Sequence, residues 1–230
     1  MLDPSIQDAH KRAAAERAVL EIKDGMLVGL GSGTTATYAI KALALRVAGG
    51  LRITAIPTSH ASEVLARDLG IAITDFRLRH RIDVTIDGAD QVALAGFDLI
   101  KGLGGALVRE KIVAAATDRM IVVVDETKLV PMLGDLTRLP VEISSFGWES
   151  VLYRLAELGC EPKLRWSGQR PFKSDGGNYI ADCRFSEIAD PLALEARLAG
   201  IVGVVESGLF IDMVSAVMVG RPTGVEVILS

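Results

Sequence analysis

The chain has 230 residues, half of them hydrophobic, and a formal net charge of −4. That length buries a sizeable core and suits one large domain, or a large one with a small one. No dense Lys/Arg run appears, so neither a nucleic-acid partner nor an anionic membrane surface is indicated, and no apolar run reaches the roughly 18 residues of a membrane span. Cys160 and Cys183 lack C-x-x-C spacing, and His10, His60 and His80 lack metal-ligand spacing. Neither a disulfide framework nor a metal site is expected, and a reducing cytoplasm is the simplest setting. The N-terminal stretch with Asp3, Pro4, Asp8 and Lys11 has no apolar core, so no signal peptide is expected.

In chain order, apolar residues at helical spacing predict a helix over 8–22, stopped near Asp24-Gly25. A short buried strand follows over 26–30, then a glycine-rich turn, then a helix over 36–47. Strands are predicted over 52–56 and 83–86, helices over 59–69 and 105–116, and a continuous apolar strand over 120–124. Strands alternating with helices at this spacing imply an α/β domain with a mostly parallel, Rossmann-like sheet covered on both faces. After Pro131 the rhythm changes. Strand 139–144, helix 148–158, strands 162–166 and 178–183, helix 191–198 and strand 204–210 make β-α-β-β-α-β, the pattern of a smaller ferredoxin-like α+β domain. Apolar strands over 214–219 and 225–229 then return to the large sheet. The expected organisation is a large domain of residues 1–135 and 209–230, with residues 136–208 inserted as the small domain.

Four segments carry candidate chemistry. Gly31-Ser32-Gly33-Thr34-Thr35 joins a strand to a helix. Its glycines permit close approach of an anion, the helix N-terminus supplies unpaired N–H groups, and three hydroxyls add donors, which suits a phosphate. A plain glycine turn with Ser/Thr caps reads the same residues equally well. The loop is not a P-loop, which ends in Gly-Lys-Ser/Thr. Its glycine spacing and the lack of an acidic residue at the end of the next strand also depart from a dinucleotide fingerprint, which disfavours a nucleotide-dependent dehydrogenase. Asp87-Gly88-Ala89-Asp90 places two carboxylates at the carboxyl end of a parallel strand, where α/β sheets bind ligands. An Asx-capped turn explains one of them more easily than two.

In the third segment Lys101 precedes Gly102, Leu103, Gly104 and Gly105, and the helix that follows bears Arg109, Glu110 and Lys111. Glycine N–H groups beside an ammonium form an oxyanion site, and a nearby glutamate can shuttle a proton. The competing reading of Arg-Glu-Lys is a solvated helix face. The fourth segment, Asp125-Glu126-Thr127-Lys128, puts another lysine beyond a strand's carboxyl end.

Taken together, and with the turn Asp175-Gly176-Gly177-Asn178 and the segments Gly203-Val204-Val205 and Gly208-Leu209-Phe210, the chain resembles the ribose-5-phosphate isomerase A family along nearly its whole length. The resemblance implies interconversion of D-ribose 5-phosphate and D-ribulose 5-phosphate through an enediolate, within the non-oxidative pentose phosphate pathway. It implies that Glu110 is the general base and that Asp87 assists ring opening with Asp90 as its companion. Lys101, with the backbone of Gly102, Leu103 and Gly104, matches the stabiliser of the enediolate oxygen. Ser32, Gly33, Thr34, Thr35 and Lys128 match phosphate and substrate contacts, with Gly88 and Ala89 in the Asp-Gly-Ala-Asp turn and Lys11 as a further phosphate contact. No cofactor or metal is implied. The implied partner is a small sugar phosphate, with no nucleic acid and no membrane, and the implied assembly is a homodimer or homotetramer. Two positions depart from the family's pattern: Leu103 stands where the loop often has glycine, and Gln91 where Glu often follows Asp90.

The chemistry fits from below. Aldose–ketose isomerisation needs a base at a carbon acid, an electrophile for the developing oxyanion and a grip on the remote phosphate. Triosephosphate isomerase meets similar needs with a glutamate base and excluded water. A related sugar-phosphate isomerase or deaminase, or a non-catalytic sugar-phosphate sensor, are the competing functions. The sensor leaves Glu110 without a task.

Overall fold

The computed structural model describes residues 4–135 and 137–229; residues 1–3, 136 and 230 of the expected domains lie outside them. The chain divides into two compact units. One comprises the residues up to Ala89, Arg109–Lys128 and those from Met213 on; the other comprises Asp90–Val108 and Leu129–Asp212.

The first unit holds a six-stranded sheet in the order Gly224–Leu229, Ala216–Arg221, Met120–Asp125, Val84–Asp87, Leu27–Leu30, Thr54–Pro57. Neighbours are parallel except for the Ala216–Arg221/Gly224–Leu229 hairpin. Every residue of Met120–Asp125 is buried, as the unbroken Met-Ile-Val-Val-Val run requires of a strand covered on both faces. Side chains alternate across the sheet. Val28, Leu30, Val84 and Ile86 pack with Ala14, Ala18, Ile40 and Leu43 from the helices Pro4–Val19 and Gly33–Ala48. Leu27, on the opposite face, packs with Val113 of the helix Leu107–Ala115. After Leu27–Leu30 the chain forms Thr54–Pro57 on one side, then crosses to Val84–Asp87 on the other. The carboxyl ends of Leu27–Leu30 and Val84–Asp87 therefore flank a topological switch point, where α/β sheets bind ligands.

The second unit contains an antiparallel sheet in the order Val204–Ser207, Leu139–Ile143, Tyr179–Arg184, Glu161–Leu164, with helices Trp148–Ala156 and Pro191–Ala199. This is the β-α-β-β-α-β arrangement expected from the sequence. Cys160 and Cys183 are free and buried within it. A hydrogen bond with Cys160, and burial, hold the Cys183 thiol well above its ordinary range, so it packs as a small apolar group.

The unit boundaries differ from the expected ones at residues 90–108, 129–135 and 209–212. Leu209–Phe210, Leu99–Ile100, Gln91–Ala93 and Leu129–Val130 form a second small sheet, grouped with the antiparallel one. Strands of two or three residues carry too little periodicity to be seen in a sequence. The expected strand 204–210 is in fact two strands in different sheets. Gly208 is the pivot: its N–H donates to the Pro140 carbonyl at 2.8 Å, and its own carbonyl accepts from Lys101 N–H at 2.9 Å. A Cβ there would lie 2.3 Å from the Lys101 carbonyl oxygen, so only glycine fits.

The central seam of the first unit has a similar requirement at Gly29. A Cβ there would come within 2.0 Å of Thr85 Oγ1 and 2.8 Å of a Val113 methyl. Gly29→Ala should lower stability by about 1–3 kcal/mol through overpacking, read as a lower urea midpoint at an unchanged m-value.

Candidate active site

At the switch point the Asp87 side chain is 1% exposed. Its Oδ1 accepts from the Ser32 N–H at 3.0 Å and the Gly88 N–H at 2.8 Å. Gly31 makes this possible, because a Cβ there would lie 2.1 Å from Oδ1 and 2.6 Å from the Asp87 Cα. Ser32 occupies the cap position of the helix Gly33–Ala48, yet its hydroxyl makes no capping bond. It pairs with Thr58 Oγ1 at 2.7 Å, while Ser62 Oγ donates to the Gly31 carbonyl at 2.7 Å and is bonded to Ser59 Oγ at 2.9 Å. The first helical N–H groups thus keep their positive end uncapped by a side chain, as an anion site requires. Gly33 takes φ +84° at this turn, Thr34 is exposed, and Thr35 lies against half-buried Gly88.

The helix Leu107–Ala115 buries Glu110 at 6% exposure and Lys111 at 7%, while Arg109 stays exposed. A solvated charged face therefore describes Arg109 and not the other two. The direction of this helix is set by its neighbours. Its C-terminal end sits at the start of Val84–Asp87, where the Ala116 carbonyl accepts from Ile82 N–H at 2.8 Å. Thr117 Oγ1, bonded to the Val113 carbonyl at 2.6 Å, also meets Thr85 Oγ1 at 2.6 Å. The helix runs back along the strand, and Glu110 lies about 4.5 Å further along it than Val113. That carries Glu110 toward the strand's carboxyl end, on the sheet face to which Gly29, Thr85 and Asp87 belong.

In the same unit, Asp125 ends the strand Met120–Asp125 and is 1% exposed. Its Oδ1 accepts from Thr127 N–H at 3.0 Å and from the Thr127 hydroxyl, which pins the single turn Glu126–Lys128. Its Oδ2 lies 4.0 Å from Lys11 Nζ. One buried carboxylate thus holds a lysine and sets the turn that bears another, half-buried Lys128.

In the second unit, Lys101 is 2% exposed, with Nζ 5.4 Å from the Phe210 ring centre. The loop after it is heavily pinned. Asp90 Oδ2 accepts from Leu103 N–H at 2.9 Å, and Gly105 N–H donates to the Gly102 carbonyl at 2.9 Å. The positive-φ positions are Gly102 at +96° and Gly105 at +87°. Leu103 is not one of them, and its side chain is exposed, so the missing glycine there costs the loop nothing. Gln91 is buried; it accepts from Gly134 N–H at 2.9 Å and donates to the Asp135 carbonyl, a task no carboxylate could perform.

Within the first unit the fold thus gathers Ser32, Gly33, Thr34, Thr35, Asp87 and Gly88 at one switch point, and within the second it links Asp90, Lys101 and the glycine loop. Sequence reasoning missed Thr58, Ser59 and Ser62, and it missed Arg165, which donates to the Leu103 carbonyl at 2.9 Å. A Thr-Ser pair at the end of a strand is a detectable signal for the former. Arg165 carries none, reading as an ordinary strand-end charge.

These features define a class: an α/β fold with its polar groups gathered at the carboxyl ends of parallel strands. The family profile of ribose 5-phosphate isomerase A (phosphoriboisomerase A) matches residues 54–224. Ribose-5-phosphate isomerase A of Gloeobacter violaceus is 52% identical over 221 residues, covering 96% of each chain. That of Gluconobacter oxydans is 50% identical over 222 residues, covering 95% of this chain and 96% of its own. A solved D-ribose-5-phosphate isomerase in complex with phospho-erythronic acid superposes with a TM-score of 0.93 at 36% identity, over 97% of this chain and 99% of that one. The Plasmodium falciparum enzyme superposes with a TM-score of 0.93 at 37% identity, over the same shares. The chain belongs to the ribose-5-phosphate isomerase A family, the aldose–ketose isomerases of the pentose phosphate pathway.

Proposed function

We propose that Glu110 is the base of the isomerisation. The observation that carries this is its burial on a helix directed toward the strand end that bears Asp87, on the same face of the sheet. Glu110 takes the C2 proton of open-chain ribose 5-phosphate, the electron pair moves into the C1–C2 bond, and negative charge develops on O1. Lys101 and amides of the following loop stabilise that oxygen. Return of the proton to C1, with transfer of the O2 proton to O1, gives ribulose 5-phosphate. Asp87 serves ring opening, with Asp90 as its companion and Gly88 and Ala89 as backbone contacts.

The phosphate is assigned to Ser32, Gly33, Thr34, Thr35, Lys128 and Lys11. The uncapped helix end supports this, and so does Asp125, which lies 4.0 Å from the Lys11 ammonium and pins the turn that bears Lys128. Phospho-erythronic acid, bound by a relative, supports the substrate class: its carboxylate places two oxygens on one planar carbon, as an enediolate flanks its double bond with two. The scheme uses no metal and no redox cofactor. The reading extends to a homodimer or homotetramer in the cytoplasm, on the family resemblance; light scattering that returns the monomer mass at micromolar concentration would remove the assembly.

Lys128→Ala should raise KM for ribose 5-phosphate about tenfold or more, the cost of one charge-assisted phosphate contact, while leaving unchanged whatever turnover of unphosphorylated ribose the wild type has. Equal effects on both sugars would move the phosphate elsewhere. Glu110→Gln keeps shape and removes basicity, so kcat should fall about 10²–10⁴-fold with little change in KM. Exchange of the C2 hydrogen of ribose 5-phosphate with solvent should fall with it. A folded variant that exchanges and isomerises at the normal rate would transfer the base role to Asp87 or Asp90.

A further inference from the structure

The glycine loop after Lys101 has five consecutive N–H groups, and the second unit commits three of them. Lys101 N–H donates to the Gly208 carbonyl, Leu103 N–H to Asp90 Oδ2 and Gly105 N–H to the Gly102 carbonyl, each at 2.9 Å. Those of Gly102 and Gly104 have no partner among the described residues, and Gly104 is exposed. These two amides are the loop's available donors to an oxyanion. A peptide group is planar and trans, so its N–H points opposite to its C=O. Whatever holds the Leu103 carbonyl therefore aims the Gly104 N–H.

That carbonyl is held by Arg165. Its Nη1 donates to the Leu103 oxygen at 2.9 Å and approaches the Gly102 oxygen at 3.4 Å. The guanidinium is itself fixed: Nε donates to Asp182 Oδ2 at 2.9 Å and Nη2 to Asp182 Oδ1. The Arg165 and Asp182 side chains are 13% and 9% exposed. The Arg165 backbone is tied to the sheet through its N–H to the Ile180 carbonyl at 2.8 Å and its carbonyl to Phe172 N–H at 2.9 Å. The Phe172 ring lies under the guanidinium, 5.6 Å from Cζ to ring centre, and a Cβ on Gly105 would touch that ring at 2.5 Å. An ion pair that served only the sheet would need just the Nε/Nη2 edge that grips Asp182. The remaining nitrogen, Nη1, goes to the loop.

We propose that Arg165 is a positioning residue for the isomerisation. Anchored bidentately on Asp182, it holds the Leu103 carbonyl and so fixes the direction of the Gly104 N–H as a donor to the enediolate oxygen. The proposal rests on the reading that this loop stabilises the enediolate. Arg165 touches no substrate; it acts through one peptide plane. Its planar fork grips the carboxylate with one edge and still offers Nη1 to the loop, which a single ammonium cannot do.

The test uses the full-length protein, ribose 5-phosphate and phospho-erythronic acid, whose planar carboxylate stands for the enediolate. Arg165→Lys keeps a cation beside Asp182 and so avoids stranding a buried carboxylate. The double variant Arg165→Met/Asp182→Asn removes both charges together. In each, kcat should fall about 10- to 100-fold, the range for a misplaced oxyanion donor. The inhibition constant of phospho-erythronic acid should weaken in step, while KM for ribose 5-phosphate stays within about twofold, since the remote phosphate contacts that dominate ground-state binding are untouched. The double variant's melting temperature should be near wild type while its kcat is not restored. A folded Arg165→Lys protein with normal kcat and normal inhibitor affinity overturns the proposal. So does a loss of kcat that vanishes when rates are expressed per folded molecule. Lys101→Met, assayed alongside, separates the two levels. If it retains normal kcat, the reading of the loop fails; if it is impaired while both Arg165 variants are normal, only the role of Arg165 fails.

Discussion

The close approach of the Gly31 backbone to the Asp87 carboxylate is the contact on which the large unit's polar edge depends. A buried carboxylate is costly unless charge-assisted hydrogen bonds replace its hydration. Here Oδ1 gains the N–H groups of Ser32 and Gly88, which follow the ends of adjacent parallel strands. The carboxylate therefore staples Leu27–Leu30 to Val84–Asp87 just where the strand order reverses. It also orients Ser32, whose hydroxyl is drawn away from the helix toward Thr58. The start of Gly33–Ala48 is thus left uncapped by Ser32, whose N–H serves Asp87 and whose hydroxyl serves Thr58. Gly31 cannot carry a side chain for the same reason.

Much of this was legible in the sequence. The long strands and their alternation with helices follow from apolar runs that tolerate no other burial pattern, as at Met120–Asp125. The carboxylates fell at strand ends because charged residues cannot continue a strand buried on both faces. What escaped was set by partners distant in sequence. Leu99–Ile100 becomes a strand by pairing with Leu209–Phe210, and the run 204–210 reads as one strand because nothing local marks where it changes sheets. Gly208 looks like a glycine inside a strand until Lys101 and Pro140 are seen to close on it. The competing solvated-face reading of Arg109, Glu110 and Lys111 holds only for Arg109, because the burial of the other two is set by how the helix packs and not by their neighbours in sequence.

Glycine-rich loops invite a count of glycines, and the count misleads here. Conformational freedom is needed at Gly102 and Gly105, whose φ values are positive. At position 103 the chain needs only a peptide group correctly turned, and leucine supplies that as well as glycine. What disciplines the loop is the commitment of its amides: those of Lys101, Leu103 and Gly105 are bonded within the unit, which leaves those of Gly102 and Gly104 as the available donors. In the proposed role, a loop with more glycines and fewer of these bonds would be freer and would serve an oxyanion less well, because donors that must be reoriented during the reaction forfeit the advantage of being fixed beforehand.

The same economy governs the cationic end of the first unit. Lys11 and Lys128 come from a helix and a short turn far apart in sequence, and Asp125 bears on both: its Oδ2 lies 4.0 Å from the Lys11 ammonium, and its Oδ1 pins the backbone turn that carries Lys128. A carboxylate beside an anion site appears counterproductive, since it weakens the field that attracts a phosphate. Without it, a flexible lysine side chain loses rotamer entropy whenever an anion draws it in. In the proposed grip, Asp125 bears that ordering cost during folding, when burial of the strand Met120–Asp125 can meet it. On that proposal phosphate meets one lysine and one turn already placed, with part of its attraction offset. Moderate affinity is the useful outcome for an isomerase, because grip that is equally strong in ground and transition states lowers KM without raising kcat, whereas grip that aligns C1 and C2 with their base raises it.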